Sequence, residues 1–168
     1  MKIFAFINVH KNAGTSIYDL LSKLLVNYTV ISSPKKDDNH ISFAVSRNPY
    51  TRCVSSWKHC LSTRDRSLLD CLANPPSRGD KKRPHDDYTH FTMKQSEFMF
   101  KDGLKPTHIL RFEHLQEDLE SMFRLYNISI PALKKLNGGN YNYTLSDEER
   151  EAIYEFYKED FDNLGYEK

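Results

Sequence analysis

Lys11, Asn12, Ala13, Gly14, Thr15 and Ser16 form the first stretch whose residue types could do chemistry. Ala13 and Gly14 are small enough to let backbone approach a bound group closely. Thr15 and Ser16 place hydroxyls beside backbone N–H groups, and Lys11 adds a positive charge. If a helix starts here, its free amides and dipole join the lysine in an anion site, most naturally for phosphate. A second stretch, Ser46-Arg47-Asn48-Pro49-Tyr50-Thr51-Arg52-Cys53-Val54-Ser55-Ser56-Trp57, offers an arginine fork at Arg47 and a hydroxyl at Ser55. The two converging on one anion would again be phosphate chemistry.

These residues need elements to hold them. Ile3-Phe4-Ala5-Phe6-Ile7 reads as a strand, and Ile17, Leu20, Leu21, Leu24 and Leu25 recur at helical spacing, so the first stretch is a strand-to-helix turn. The helix is expected to fade near Val26 or Asn27. Tyr28–Ile31 reads as a short buried strand, Ser32 to Asn39 as a polar loop, and Ile41–Val45 as another strand running into the second stretch. There Asn48 suits a helix cap and Pro49 the first helical position, with Ser55 two turns in. The bland alternatives are an ordinary capped turn at the first stretch and, at the second, an Arg47 paired with an acid and a Ser55 that merely fills a helix.

The first stretch is not a Walker loop, whose lysine directly precedes the Ser/Thr; Lys11 comes three residues before Gly14. Lysine, two small or polar residues, Gly, Thr, Ser instead resembles the 5′-phosphosulfate loop of sulfotransferases, K-T-G-G-T-S or K-N-A-G-T-S. R-N-P-Y-x-R-x-V-S resembles their 3′-phosphate motif, V-R-[ND]-P-x-x-R-x-x-S. Both matches fall in the right order, each at a strand-to-helix junction. The chain is therefore similar to the membrane-type, carbohydrate-modifying sulfotransferases and their short bacterial and viral relatives.

That resemblance implies an α/β, P-loop NTPase-like three-layer fold with a central, mainly parallel sheet flanked by helices. It implies the donor 3′-phosphoadenosine 5′-phosphosulfate (PAPS), with adenosine 3′,5′-bisphosphate (PAP) as product, and a carbohydrate acceptor. Lys11, Asn12, Ala13, Gly14, Thr15 and Ser16 would hold the 5′-phosphosulfate, and Arg47 and Ser55 the 3′-phosphate. Arg52, matching the motif's second arginine, would be structural. The sequence departs from the commoner pattern at Asn12-Ala13, in place of Thr-Gly, and at His10, where many members have proline. The likeness continues through H-x-x-x-x-Q-S-x-F at His90, Gln95, Ser96 and Phe98, R-F-E-x-L at Arg111, and Y-x-x-D-F-x-x-x-G-Y near the C-terminus.

Such a reaction moves a sulfuryl group from PAPS to a hydroxyl or amine. It needs in-line positioning and positive charge at the bridging oxygen, a role that suits Lys11, and it requires no metal. A general base must take the acceptor's proton. Relatives place a His or Glu between the two phosphate motifs, which His40 matches in order; His90 is the runner-up and Asp19 a third. Two rivals remain: a non-catalytic PAP- or PAPS-binding module, and an ATP-dependent small-molecule kinase, against which the missing Walker lysine and acid argue.

Composition bounds these readings. The 168 residues fit a single domain, 1–168, with a real core. A formal net charge of +1 offers no global field for nucleic acid or an anionic membrane. No apolar run approaches the ~20 residues of a membrane span, and the N-terminus reads as the first strand rather than a signal segment. Cys53, Cys60 and Cys71 are odd in number, and Cys53 and Cys60 would lie two helical turns apart, which suggests reduced thiols in a cytoplasmic protein. The N-x-[ST] sequons at Asn27, Asn127 and Asn142 are taken as chance.

Trp57 to Asp70 is expected to continue as helix. Asn74 to Asp87 reads as a long irregular loop whose basic cluster, Arg78, Lys81, Lys82 and Arg83, is a solvated surface, with a lid as the alternative. Thr107–Phe112 reads as a strand preceding a helix with an apolar stripe at Leu115, Leu119, Met122 and Phe123. The tail from Ser146 reads as a capped amphipathic helix.

Overall fold

The computed structural model describes residues 2–78, 87–134 and 142–168. Its strands are β1 (Ile3–Ile7), β2 (Tyr28–Ile31), β3 (His40–Ser46) and β4 (His108–Arg111). Its α-helices are α1 (Gly14–Lys23), α2 (Pro49–His59), α3 (Leu68–Ala73), α4 (Gln95–Met99), α5 (Leu115–Arg124), α6 (Asp147–Phe156) and α7 (Lys158–Leu164). A π-helical turn covers Tyr88–Thr92 and a 3-10 turn Phe112–His114. The residues divide into two compact units: Met1–Arg47 with Glu97–Gly138, and Asn48–Ser96 with Gly139–Lys168. Residues 79–86 and 135–141, with most of the basic cluster expected in the 74–87 loop, lie outside the described residues.

The first unit holds the sheet, in the order β2-β1-β3-β4 with every neighbouring pair parallel. This is the expected α/β class with a parallel sheet flanked by helices. Parallel strands need both faces covered and so read as continuous apolar runs, as β1 and β3 do. In register, Phe4 lies beside Ile41 and Phe6 beside Phe43. That face packs on Ile17, Leu20 and Leu21 of α1 and on Leu115, Leu119, Met122 and Phe123 of α5. The α5 stripe is buried as its spacing predicts.

One boundary and one burial differ from the sequence expectation in this unit. Helix α1 stops at Lys23, because Leu24 turns extended (ψ 138°) and residues 24–27 form the connector that brings β2 alongside β1. Strand β2 is not buried: it is an edge of the sheet, with Tyr28 41% and Val30 43% exposed. An apolar run of four residues shows strand propensity but not the strand's place in the sheet.

The second unit has its own core, in which Tyr50, Cys53 and Trp57 of α2 meet Leu68, Cys71 and Leu72, Phe91, Ile153, Tyr157 and Phe161. The helix expected over Trp57–Asp70 is two helices. Thr63 Oγ1 donates to the Trp57 and Cys60 carbonyls, and the Trp57 indole N–H donates to the Thr63 and Arg66 carbonyls. These bonds compete with helical ones and wrap residues 60–66 around the indole. The tail is likewise two helices. Ser146 and Glu149 form a capping box at the start of α6, and the helix breaks at Tyr157, which Phe161 follows into the core. The three cysteines are buried and none is in a disulfide, and burial pushes the Cys53 thiol up to about 12, with the nearby Arg52 charge acting in the opposite sense.

Candidate active site

The strand order locates a crevice before any side chain is considered. From β1 the chain steps to β2 on one side and then to β3 on the other, so the connections diverge between β1 and β3. Open parallel sheets bind ligands outside the carboxyl ends of their strands at such a switch point. The loop after β1 carries Lys11, and the residue after β3 is Arg47.

The loop is bent sharply. Lys11 (φ 68°) and Ala13 (φ 63°) both occupy the left-handed region, at roughly 1–2 kcal/mol each for a residue with a β-carbon. Asn12 between them is fully buried, and its side-chain amide donates to the Val45 carbonyl at 2.6 Å. This bond fastens the loop to the end of β3. Gly14 opens α1, and a β-carbon there would meet Asn8 Oδ1 at 2.5 Å. Ala13, at the N-cap, supplies no capping side chain, and the first turn holds no acid. The amides of that turn have no intrahelical acceptor, and the helix dipole makes the end electropositive. Ser16 is buried in the same turn, while Thr15 is exposed.

Arg47 joins this loop. Its Nη1 donates to the Lys11 carbonyl at 2.9 Å, and its guanidinium lies 4.2 Å from the centre of the Phe112 ring. The structure thus brings Arg47 to the loop residues expected from sequence. Phe112, just past β4, is a neighbour that the sequence reading passed over. Its only signal was its place beside Arg111 in R-F-E-x-L, at a strand's carboxyl end.

His40 is not brought to the loop. It begins β3, whose seven residues carry the chain about 20 Å toward Arg47. Its Nδ1 lies 3.2 Å from an Asp37 carboxylate oxygen. Chain order between the two motifs is compatible with this, because a strand starting at the opposite end of the sheet also lies between them. Asp19, on the second turn of α1, pairs with Lys23.

In the second unit, Asn48 accepts from the Tyr50 amide and Pro49 opens α2, as the sequence predicts. Ser55 is buried on this helix. Arg52, 1% exposed, donates through Nη2 to the carbonyls of Met93 (3.0 Å) and His90 (3.5 Å). Ser56 Oγ also donates to the His90 carbonyl, at 2.8 Å. His90 is buried, with its ring stacked on that of His59, the centroids 5.3 Å apart. The C-terminal motif holds the same segment. The Tyr157 hydroxyl donates to the Phe91 carbonyl, and the buried Asp160 accepts from the Gln95 and Ser96 amides at 2.9 Å each. The sequence motif was visible, but its partners were not.

An electropositive loop at the switch point of a parallel sheet is the arrangement by which α/β proteins commonly hold phosphate groups. A model of the sulfotransferase family matches residues 7–167, nearly the entire chain, and the chain belongs to that family. Sulfuryl transfer is the reaction class this supports. No curated protein sequence matches the chain. Among the described residues no helix is long and apolar enough to cross a membrane, and no three His, Cys, Asp or Glu residues are grouped to hold a metal ion.

Proposed function

We propose that this protein transfers the sulfuryl group of PAPS to a hydroxyl or amine of a carbohydrate acceptor, the two units acting as one sulfotransferase domain. The observation that carries this reading is the acid-free start of α1 behind the left-handed Lys11 loop, with Arg47 bonded to that loop. These residues fit the donor: the loop offers amides and a lysine to a phosphosulfate, and no acid in the first turn of α1 opposes it. PAPS supplies the activated sulfuryl group and a phosphate leaving group.

Lys11 offsets charge growing on the bridging oxygen, and the amides and hydroxyls of Asn12 to Ser16 orient the phosphosulfate. Arg47 and Ser55 take the 3′-phosphate. His90 is the candidate proton acceptor, given the position of His40.

The test is thermal stabilisation by PAP. A ligand at one hundred times its Kd adds roughly 2.7 kcal/mol to stability. Wild type is expected to be stabilised, Lys11→Ala and Arg47→Ala weakly or not at all, and ATP with magnesium is expected to compete poorly. No shift at millimolar PAP would sink the reading. Turnover on an acceptor panel, lost in His90→Ala with PAP binding kept, checks the base; PAP binding without turnover on any acceptor would instead favour a non-catalytic module.

A further inference from the structure

Arg47 meets the loop in a way that recognition of a 3′-phosphate does not require. Its Nη1 bonds the carbonyl of Lys11, a residue whose φ of 68° puts it in the left-handed region. The Asn12 side chain is bonded to Val45, two residues before Arg47. The loop is therefore held at two consecutive residues by the carboxyl end of β3. Behind Arg47 lies the Phe112 ring, 4.2 Å from the guanidinium carbon, which limits where the side chain can swing. A guanidinium carries several N–H donors, so one bond to the loop is compatible with phosphate recognition by the same group.

We infer that Arg47 is a positioning residue for the Lys11 loop, with Phe112 holding Arg47 in place, so that the loop's grip on a 5′-phosphosulfate depends on Arg47 even when the ligand has no 3′-phosphate. The ligand part rests on the PAPS reading above; the loop-holding part does not. Loss of the Nη1 bond removes one of the two holds on the loop and weakens the constraint that keeps Lys11 at positive φ, so the amides and ammonium converge less well. The cation–π contact with the ring orients the fork, and an aliphatic side chain in its place, with no π face, would leave the guanidinium loose.

The probes are adenosine 5′-phosphosulfate, which lacks the 3′-phosphate, and PAP, which has it. Affinities for both are measured by calorimetry in wild type, Arg47→Ala, Phe112→Leu and Phe112→Tyr. Amide hydrogen exchange over residues 9–17 is followed without ligand in the same four proteins. Arg47→Ala and Phe112→Leu are expected to weaken adenosine 5′-phosphosulfate about tenfold and to speed exchange in the loop, while Phe112→Tyr, which keeps the ring, stays near wild type.

If Arg47→Ala weakens PAP alone and leaves both the other ligand and loop exchange unchanged, the inference is overturned and the PAPS reading stands. If wild type binds neither ligand, the PAPS reading fails, and loop exchange alone decides: faster exchange in Arg47→Ala supports the loop anchor, unchanged exchange overturns it. Should Arg47→Ala not fold, Phe112→Leu carries the same comparison, since that ring offers a phosphate no donor.

Discussion

The Asn12 side-chain amide donates to the Val45 carbonyl at 2.6 Å, with no part of Asn12 exposed to solvent. A turn after the first strand is thereby bolted to the end of the third, at the switch point where the sheet's connections diverge. Asn12→Ala removes the donor and leaves a buried carbonyl without it, a loss of about 2 kcal/mol. Asn12→Asp is expected to cost more, because it buries a carboxylate against a carbonyl oxygen. It also sets a negative charge inside the proposed donor site, so PAP stabilisation should vanish in Asn12→Asp while a residue of it survives in Asn12→Ala. Urea denaturation with and without PAP measures both effects.

Gly14 is a test of which contact matters. Its absent β-carbon would lie 2.5 Å from Asn8 Oδ1, the end of a side chain that can rotate away. Gly14→Ala is therefore expected to cost under about 1 kcal/mol, since alanine's helix propensity offsets much of the displacement. In an Asn8→Ala background the clash is gone, and Gly14→Ala should become neutral or stabilising. A double-mutant cycle by thermal denaturation reads the coupling; a cost unchanged in the second background would rule out Asn8 as its source.

Asp160 fixes the segment around residue 95 from α7. Both carboxylate oxygens accept backbone amides, those of Gln95 and Ser96, inside the core. Asp160→Ala leaves two buried donors unpaired and should cost about 3 kcal/mol, and Asp160→Asn, which can serve only one of them, somewhat less. The midpoint of guanidinium unfolding should fall with its slope unchanged.

Acid should weaken the second unit through Asp87. Burial raises this carboxyl, but the Ser62 amide at 2.9 Å and hydroxyl at 2.8 Å outweigh it and hold the carboxyl below its usual range. A depressed carboxyl contributes stability above its unfolded value, about 3.9, and that stability is lost as pH falls through the folded value. Ser62→Ala should therefore be less stable than wild type at pH 7, with the gap closing toward pH 3. Urea midpoints across that range check the sign; a gap that widened in acid would contradict it.

Much of the first unit was legible because its signals are local. Apolar runs, a Gly-Thr-Ser start and an Asn-Pro cap are decided within a few residues, and they located β1, α1 and β3, and the start of α2 in the second unit, with both motif stretches attached. Where the reading slipped, a distant group had intervened. The helix through Trp57 breaks because the Thr63 hydroxyl donates to the Trp57 carbonyl and the indole N–H to that of Thr63, and β2 is exposed because it lies at an edge. By itself the sequence determined the residue types, their order, and the strand-to-helix turns that carry Lys11 and Arg47. Only the tertiary structure decided that Arg47 reaches the Lys11 carbonyl over Phe112 while His40 lies at the other end of the same strand. Spacing along a chain sets which turn a residue occupies, whereas strand direction and register set which end of the sheet that turn occupies.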